Sequence, residues 1–227
     1  MRKIFNFHPM KKLLLASFLM ASFTVLGQHG YRDGNRIGIY GGVNQTSLMT
    51  SDFNTKPELG WAAGMQVRGN YYNNFSMIFG MQFFESNFSV ETISPLLQKQ
   101  EVKNKLMGAQ IRLLFSYNVI KDHVSIDFGP VLQVNDKLKI SKEFENNIVS
   151  GTALTAKEIT DITKINGNMY VGLSAGNRRV RFILNYQYGV NNILNNLNKK
   201  DELKVKNNNN AFSGHTGILS GQVLFNL

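Results

Sequence analysis

The residues best suited to acid–base or metal chemistry are the three histidines that follow residue 27, namely His29, His123 and His215. None of them has a second histidine at the H-x-x-x-H spacing that metal sites use. His215 could serve as a base for Ser213 or Ser220 in a lipid-modifying enzyme, but no triad geometry follows from the sequence. A polar residue at a membrane rim is the favoured interpretation of His215. The chain also has no cysteine, so neither a disulfide framework nor a thiolate metal site is available. We expect no enzyme, no cofactor and no metal.

A second group of candidates is charged. Arg68, Arg112 and Asp127 alternate with apolar neighbours, which places each on the polar face of a strand. If those strands enclose a wide lumen, the three residues could form a conducting path or a gated salt bridge. If the lumen is narrow, they form a structural network. A lysine-rich segment at 199–206 could meet lipid phosphates, although such a run is more typical of a solvated loop.

The elements that must position these residues are strands, and the last one is the clearest. Gly214–Leu227 alternates to the final residue, and an open strand there should be closing a sheet. Seven further alternating stretches precede it: Arg36–Asn44, Leu59–Tyr71, Phe75–Ser86, Lys105–Val119, Val124–Val134, Thr160–Gly176 and Val180–Val190. Their connections alternate between long and short. This pattern predicts an all-β, eight-stranded antiparallel transmembrane β-barrel with short periplasmic turns and long extracellular loops.

A soluble eight-stranded barrel, such as a lipocalin, shows the same alternation with its apolar face turned inward. Three features favour the membrane form. The long loops fall at one end only, aromatic residues such as Trp61 and Tyr188 lie near strand ends, and the polar face mixes glycine, amides and both charge signs. Eight strands leave an interior about filled by side chains, so the structural network is the favoured role of Arg68, Arg112 and Asp127.

The N-terminus predicts export. Residues 1–27 have the basic, apolar and small-residue layout of a signal peptide, with Met10 as an alternative start. Residues 28–35 form a short polar lead-in, and residues 36–227 form the barrel. Removing four basic residues with the signal lowers the formal charge from +10 to +6. An anionic membrane surface is therefore a better expected partner than nucleic acid, and the expected location is the outer membrane.

Three short motifs carry a family resemblance: Ile39–Asn44, Asp127–Pro130 and Asn185–Gly189. They resemble the small outer-membrane β-barrels of Bacteroidetes, the PorT-like or porin-family proteins, which are related in form to OmpX- and OmpA-like barrels. The resemblance implies outer-membrane residence. One member of that family supports a protein secretion system, but no motif here transfers that role.

The function that follows is a non-enzymatic, monomeric barrel in outer-membrane lipid that anchors or binds a partner. The alternative is a narrow porin or transport-related barrel, including an accessory role in secretion. A protein partner is expected at the loops 46–58, 87–104, 135–159 and 191–211. The terminal Phe225 and Leu227 resemble the aromatic end signal that barrel-assembly machinery reads, so we expect them to direct closure of the barrel.

Overall fold

The computed structural model describes residues 35–72 and 74–227. The predicted signal peptide at 1–27 and all of the predicted lead-in except Asn35 lie outside these residues. In the part of the chain that is described, no helix is long and apolar enough to cross a membrane.

Within the described ranges, eight antiparallel strands form one closed barrel. They are β1 Arg36–Thr50, β2 Thr55–Tyr72, β3 Phe75–Ile93, β4 Lys99–Ile120, β5 Val124–Asn135, β7 Ile165–Gly176, β8 Val180–Gly189 and β9 Gly214–Asn226. A two-residue strand, β6 Ile148–Val149, lies in a loop and pairs with the end of β3. Each barrel strand pairs with the next in chain order, and β9 pairs with β1. The predicted fold class is confirmed.

The closing seam runs along the whole length of β9. Its register pairs Ile39 with Phe225 near one end and Thr50 with Gly214 at the other. The Leu227 amide then donates to the Ile37 carbonyl at 2.8 Å, just beyond the last strand residue. The predicted antiparallel pairing of the first and last strands is therefore confirmed, and the sheet has no free edge at this seam.

The two faces of the barrel have opposite polarity. On β3, Phe75, Phe79, Met81 and Phe83 point outward and are exposed, whereas Ser76, Ile78, Gly80 and Gln82 point inward and are buried. The other strands repeat this arrangement, with outward residues such as Leu113, Val171 and Leu184 exposed. A soluble barrel would bury its apolar face. An apolar exterior around a polar interior is the arrangement that lipid requires.

The polarity of the strands reverses at the end where the long connections lie. Above Phe83 the outward positions of β3 become Glu85 and Glu91, while the inward positions become Phe84, Phe88 and Val90, all buried. The same reversal occurs on β4, whose outward lysines precede Met107. Lys105 pairs with Glu85 at 3.1 Å across this boundary. The hairpins therefore continue out of the apolar belt as an ordinary water-facing sheet with an apolar inner side.

Two predicted loops are consequently wrong. The segments 46–58 and 87–104 are mostly strand, and only residues 51–54 and 94–98 remain as connections. The predicted start of the sixth barrel strand at Thr160 is also wrong, because that strand starts at Ile165. The short turns at the opposite end, at residues 121–123 and 177–179, fall where the sequence predicts them, and Asn74, the described part of the predicted turn after β2, also lies in a turn.

The other two long connections, residues 136–164 and 190–213, fold into a cap at the outer end of the barrel. They contain three 3₁₀ turns, Lys142–Phe144, Glu158–Thr160 and Leu197–Lys199, and the short helix α1, Asp201–Lys206. Their apolar side chains pack with those of the strand extensions in one buried cluster that includes Phe88, Leu106, Leu154, Leu194 and Phe212. The cap and the strand extensions are therefore held together by one shared hydrophobic core.

Candidate functional site

The interior near the short-turn end is organised around Asp127. Its carboxylate accepts hydrogen bonds from Ser116 at 2.5 Å and Ser125 at 3.0 Å, and it forms an ion pair with Arg68 at 3.4 Å. Arg68 donates a second hydrogen bond to Ser116 at 2.8 Å. Both charged side chains are buried. The structure thus brings two of the three predicted lumen residues, Arg68 and Asp127, into one closed network.

A second charged group lies at the mouth of this end, in the turn between β4 and β5. The Asp122 carboxylate pairs with Arg36 at 2.5 Å and with Arg178 at 2.8 Å. Partial burial alone would raise the pKa of Asp122, but the hydrogen bonds and positive charges of Arg36 and Arg178 outweigh it, so the pKa is lowered. These contacts tie two short turns to the first residue of β1.

Arg112, the third predicted lumen residue, lies apart from that ion pair. Its guanidinium carbon is 4.2 Å from the ring centroid of Tyr40 and 5.7 Å from that of Tyr170, and its Nη2 donates to Gln66 at 2.8 Å. Gly80 supplies the space, since a Cβ there would lie 2.7 Å from the Arg112 Nε. No carboxylate pairs with Arg112 among the described residues, so the aromatic faces hold this buried cation.

A layer of amide side chains crosses the interior above Arg112. Gln82 donates to Gln110 at 2.5 Å, Gln110 donates to Gln133 at 2.6 Å, and Gln133 also accepts from Asn168 at 2.8 Å. Gln222 of the closing strand donates to Gln82 at 3.3 Å. Each amide has both donors and acceptors, which lets a chain of them link five strands without any net charge.

These layers fill the barrel. A continuous aqueous passage would leave its lining side chains in contact with water, yet Arg112, Gln110 and Gln133 are each at most 2% exposed. Among the described residues, the interior therefore has the character of a packed polar core, which is what eight strands allow. This arrangement favours the structural role of the predicted lumen residues over a conducting one.

The cap carries an open polar cleft of about 680 Å³ on its outer surface. Serine, asparagine and aspartate side chains line most of it: Ser51, Asp52, Asn54, Ser150, Asn207, Asn208 and Asn210. Asp52 fixes the shape of the cleft, because its carboxylate accepts from Asn207 Nδ2 at 3.0 Å and from the Ser213 amide at 2.9 Å. The connection between β1 and β2, the last long connection and residues 150–151 of the other long connection therefore build this cleft together.

The lysines of segment 199–206 are largely engaged within the cap. Lys200 pairs with Asp161 at 3.3 Å, Lys204 with Asp201 at 3.0 Å and Lys206 with Glu158 at 2.5 Å. Burial of Glu158 alone would raise its pKa, but the bonds from Lys206 and Thr155 leave the pKa lowered. This segment is part of the folded cap, and its lysines neutralise the acids around it.

The two histidines among the described residues, His123 and His215, lie at opposite ends of the barrel, and His29 lies outside those residues. His215 stacks on Tyr188 with ring centroids 5.7 Å apart, and its Nδ1 lies 2.9 Å from the Gly189 carbonyl oxygen. Ser220 is buried inside the barrel, and His123 lies in the short turn at the other end. Within residues 35–72 and 74–227, no group of three or more histidine, aspartate or glutamate residues could hold a metal.

The sequence did not identify the partners of Arg112 or the cleft. Tyr40 and Tyr170 do fall on the polar face of their strands, so two large aromatic side chains facing a polar interior were a usable signal for a cation site. The cleft had no such signal, because it joins residues 51–54 with residues 207–211 and depends on how the cap folds.

No protein-family model matches this chain, and no curated protein matches it. Among solved structures it is similar to Neisserial surface protein A, with 11% identity and a TM-score of 0.45 over 86% of this chain and 100% of that one. It is also similar to Ail of Yersinia pestis in complex with the heparin analogue sucrose octasulfate, with 13% identity and a TM-score of 0.47 over 85% of this chain and 99% of that one. A third similar structure is that of the outer membrane protein OprG from Pseudomonas aeruginosa, with 8% identity and a TM-score of 0.43 over 87% of this chain and 98% of that one. With these TM-scores, the fold rests on the strand pairing of the chain itself.

Proposed function

We propose that this protein is an exported, non-conducting outer-membrane barrel that anchors an ordered cap and binds a partner through the polar cleft of that cap. One observation carries the proposal. The barrel interior is filled by buried side chains, whereas the cap above it is folded and presents an open cleft. A conducting barrel needs an open, water-filled interior instead.

Membrane residence is supported by the exterior of the barrel. Its apolar belt ends where the strand polarity reverses at Glu85 and Lys105, and a soluble surface of that kind would aggregate. The expected signal peptide at 1–27 supplies the export route, with cleavage between Gly27 and Gln28. In barrels of this kind the short turns face the periplasm, so the cap lies outside the cell.

The finer assignment follows the sequence resemblance. The motifs at Ile39–Asn44, Asp127–Pro130 and Asn185–Gly189 support membership of the PorT-like barrels of Bacteroidetes. An accessory role in secretion is one form that partner binding could take in that group. We further propose a monomeric barrel without enzymatic activity, in keeping with the separation of His215 from Ser220.

Single-channel recording tests the filled interior. The refolded protein is reconstituted into planar bilayers, and folding in the same sample is checked by the faster migration of unheated barrel on a gel. We expect the protein to show the heat-dependent gel shift of a folded barrel and to give no stable channel openings. Reproducible openings from folded barrel would overturn the non-conducting assignment and establish the narrow-pore alternative.

Orientation and partner binding can be tested at single cysteines, since the natural chain has none. Asn208→Cys lies at the cleft and Arg179→Cys lies in a short turn, and both positions are exposed. An impermeant maleimide added to intact cells should label the first and spare the second. A photocrosslinker at position 208 should then capture a discrete partner that the same group at position 179 does not. Equal labelling of both sites, or equal crosslinking, would contradict the proposal.

A further inference from the structure

A cluster of lysines lies on one side of the barrel, where the apolar belt ends. Lys103 and Lys105 are outward residues at the outer part of β4, and Lys137 and Lys139 follow directly after β5. Lys105 and Lys139 are direct cross-strand partners, so their side chains leave the same face of the sheet next to each other. We call these four residues the rim lysines.

The charges around the rim lysines do not balance. Lys105 pairs with Glu85 at 3.1 Å, and Lys139 pairs with the exposed Asp136 at 3.2 Å. Lys103 and Lys137 are exposed and form no ion pair among the described residues. Like charges directly opposite each other in a sheet are destabilising. Four lysines against two carboxylates therefore leave a local excess of positive charge that an anion from outside the chain would relieve.

The position of the rim lysines identifies the kind of anion. The Lys139 Nζ lies 4.0 Å from the sulfur of Met107, and Met107 is the outward residue next to the apolar belt on β4. Lys105, Lys137 and Lys139 therefore stand close to the level where hydrocarbon gives way to headgroups, and phosphates of neighbouring lipids are at that level. Lys103 lies two residues further out on β4, and its long side chain can extend back toward that level. Lysines at this depth attract the negatively charged headgroups of anionic lipids.

We propose that the rim lysines bind the phosphate groups of phosphorylated lipids in the leaflet on the cap side. The ammonium groups of Lys103 and Lys137 meet a phosphate, and that phosphate shields the adjacent pair Lys105 and Lys139 from each other. The inference rests on the proposed membrane residence and adds a lipid class to it. It assigns no role to the cleft, which lies further out on the cap.

Lipid binding to the folded barrel in detergent tests the rim lysines. Bisphosphorylated lipid A, its monophosphorylated form and inorganic phosphate are titrated separately, and bound lipid is counted by native mass spectrometry. The test variant replaces all four rim lysines by glutamine, and a second variant replaces them by arginine. The matched control replaces four cap lysines by glutamine: Lys142, Lys157, Lys199 and Lys200.

We expect the bisphosphorylated lipid to bind the natural barrel most tightly and inorganic phosphate to compete only weakly. The glutamine variant should lose at least tenfold in affinity, while the arginine variant and the cap control keep theirs. Lipid binding that is unchanged in a heat-shifted glutamine variant would overturn the inference and leave the barrel and its membrane residence intact. Failure of the natural chain to insert into lipid at all would instead overturn the proposed function.

Discussion

Replacing Asp127 by asparagine removes the negative charge at the centre of the network near the short-turn end while keeping the shape of the side chain. Asp127 and Arg68 are both buried, and their charged atoms lie 3.4 Å apart. At an effective dielectric constant near 20, that separation corresponds to a direct attraction of about 5 kcal/mol. Removing one partner of a buried pair leaves the other charge uncompensated, which costs about 3–5 kcal/mol. We therefore expect Asp127→Asn to lower the free energy of unfolding by about 3 kcal/mol.

The single tryptophan makes the measurement direct. Trp61 faces outward and is half exposed, and it is the cross-strand partner of Glu85 at the edge of the apolar belt. Its fluorescence should therefore change when the barrel leaves the lipid. Urea unfolding in lipid vesicles, checked for reversibility, gives the free energy for the natural chain, for Asp127→Asn, for Arg68→Met and for the double variant.

The double variant separates a buried ion pair from a general loss of packing. If the charges stabilise each other, removing both should cost clearly less than the two single losses added together. A loss below about 1 kcal/mol for Asp127→Asn, or strictly additive losses, would refute the reasoning. In that case the hydrogen bonds of Ser116 and Ser125 would stabilise the interior near the short-turn end without a contribution from the ion pair.

Three further outcomes follow from other sites. Because the pKa of Asp122 is lowered from its usual 3.8, its stabilisation of up to about 1 kcal/mol should persist above pH 5 and be lost as the pH falls through the folded pKa. Urea unfolding of Asp122→Asn should therefore differ from that of the natural chain above pH 5, and the difference should shrink as the pH falls through the folded pKa. Gly80→Ala should lower the free energy of unfolding by about 1–3 kcal/mol, because the added Cβ would lie 2.7 Å from the Nε of Arg112 on the neighbouring strand. Gly221→Ala has nothing within 4 Å of the added Cβ and should lower it by less than about 0.5 kcal/mol. Deleting residues 225–227 should abolish outer-membrane insertion, and a normal heat-shifted band from that truncation would contradict the end-signal prediction.

The part of the fold that the sequence predicts is the part that lies in lipid. There the solvent outside is uniformly apolar, so every outward residue must be apolar and the period of two is unbroken, as from Phe75 to Phe83. The short turns and the final strand follow from the same pattern. The antiparallel pairing of β9 with β1, though not its register, then needs no further information than an even number of strands and the absence of a free edge.

The strand extensions were missed because the polarity of the pattern reverses while the strand continues. Beyond Glu85 the outward positions become polar and the inward positions apolar, so a search for one apolar face ends at the reversal and assigns a loop. The cap was missed for a different reason. Its core joins residues far apart in sequence, such as Leu154 and Phe212, and the surrounding asparagines and lysines suggest a solvated loop.

The contacts of single residues in the candidate site could likewise be predicted only in part. Alternation places Arg68, Arg112 and Asp127 inside the barrel, but it does not give their heights or neighbours. Tyr40 and Tyr170 come from β1 and β7, which do not adjoin β4, so only closure of the barrel brings their rings to Arg112. Contacts across a lumen depend on register and shear, which a single sequence does not specify.

The rim lysines lie next to the polarity reversal and the cleft lies beyond it, so the two surfaces differ in their distance from the membrane. The cleft residue Asn54 accepts a hydrogen bond from the Glu91 amide at 3.0 Å, and Glu91 lies six residues beyond Glu85 on β3. Six residues span about 20 Å along a strand, or about 15 Å of height at a tilt near 40°. The headgroup layer is only about 5–8 Å thick on each side. Lipid phosphates can therefore reach the rim lysines at the base of the extension, whereas the cleft stands clear of them and is open to a partner from outside.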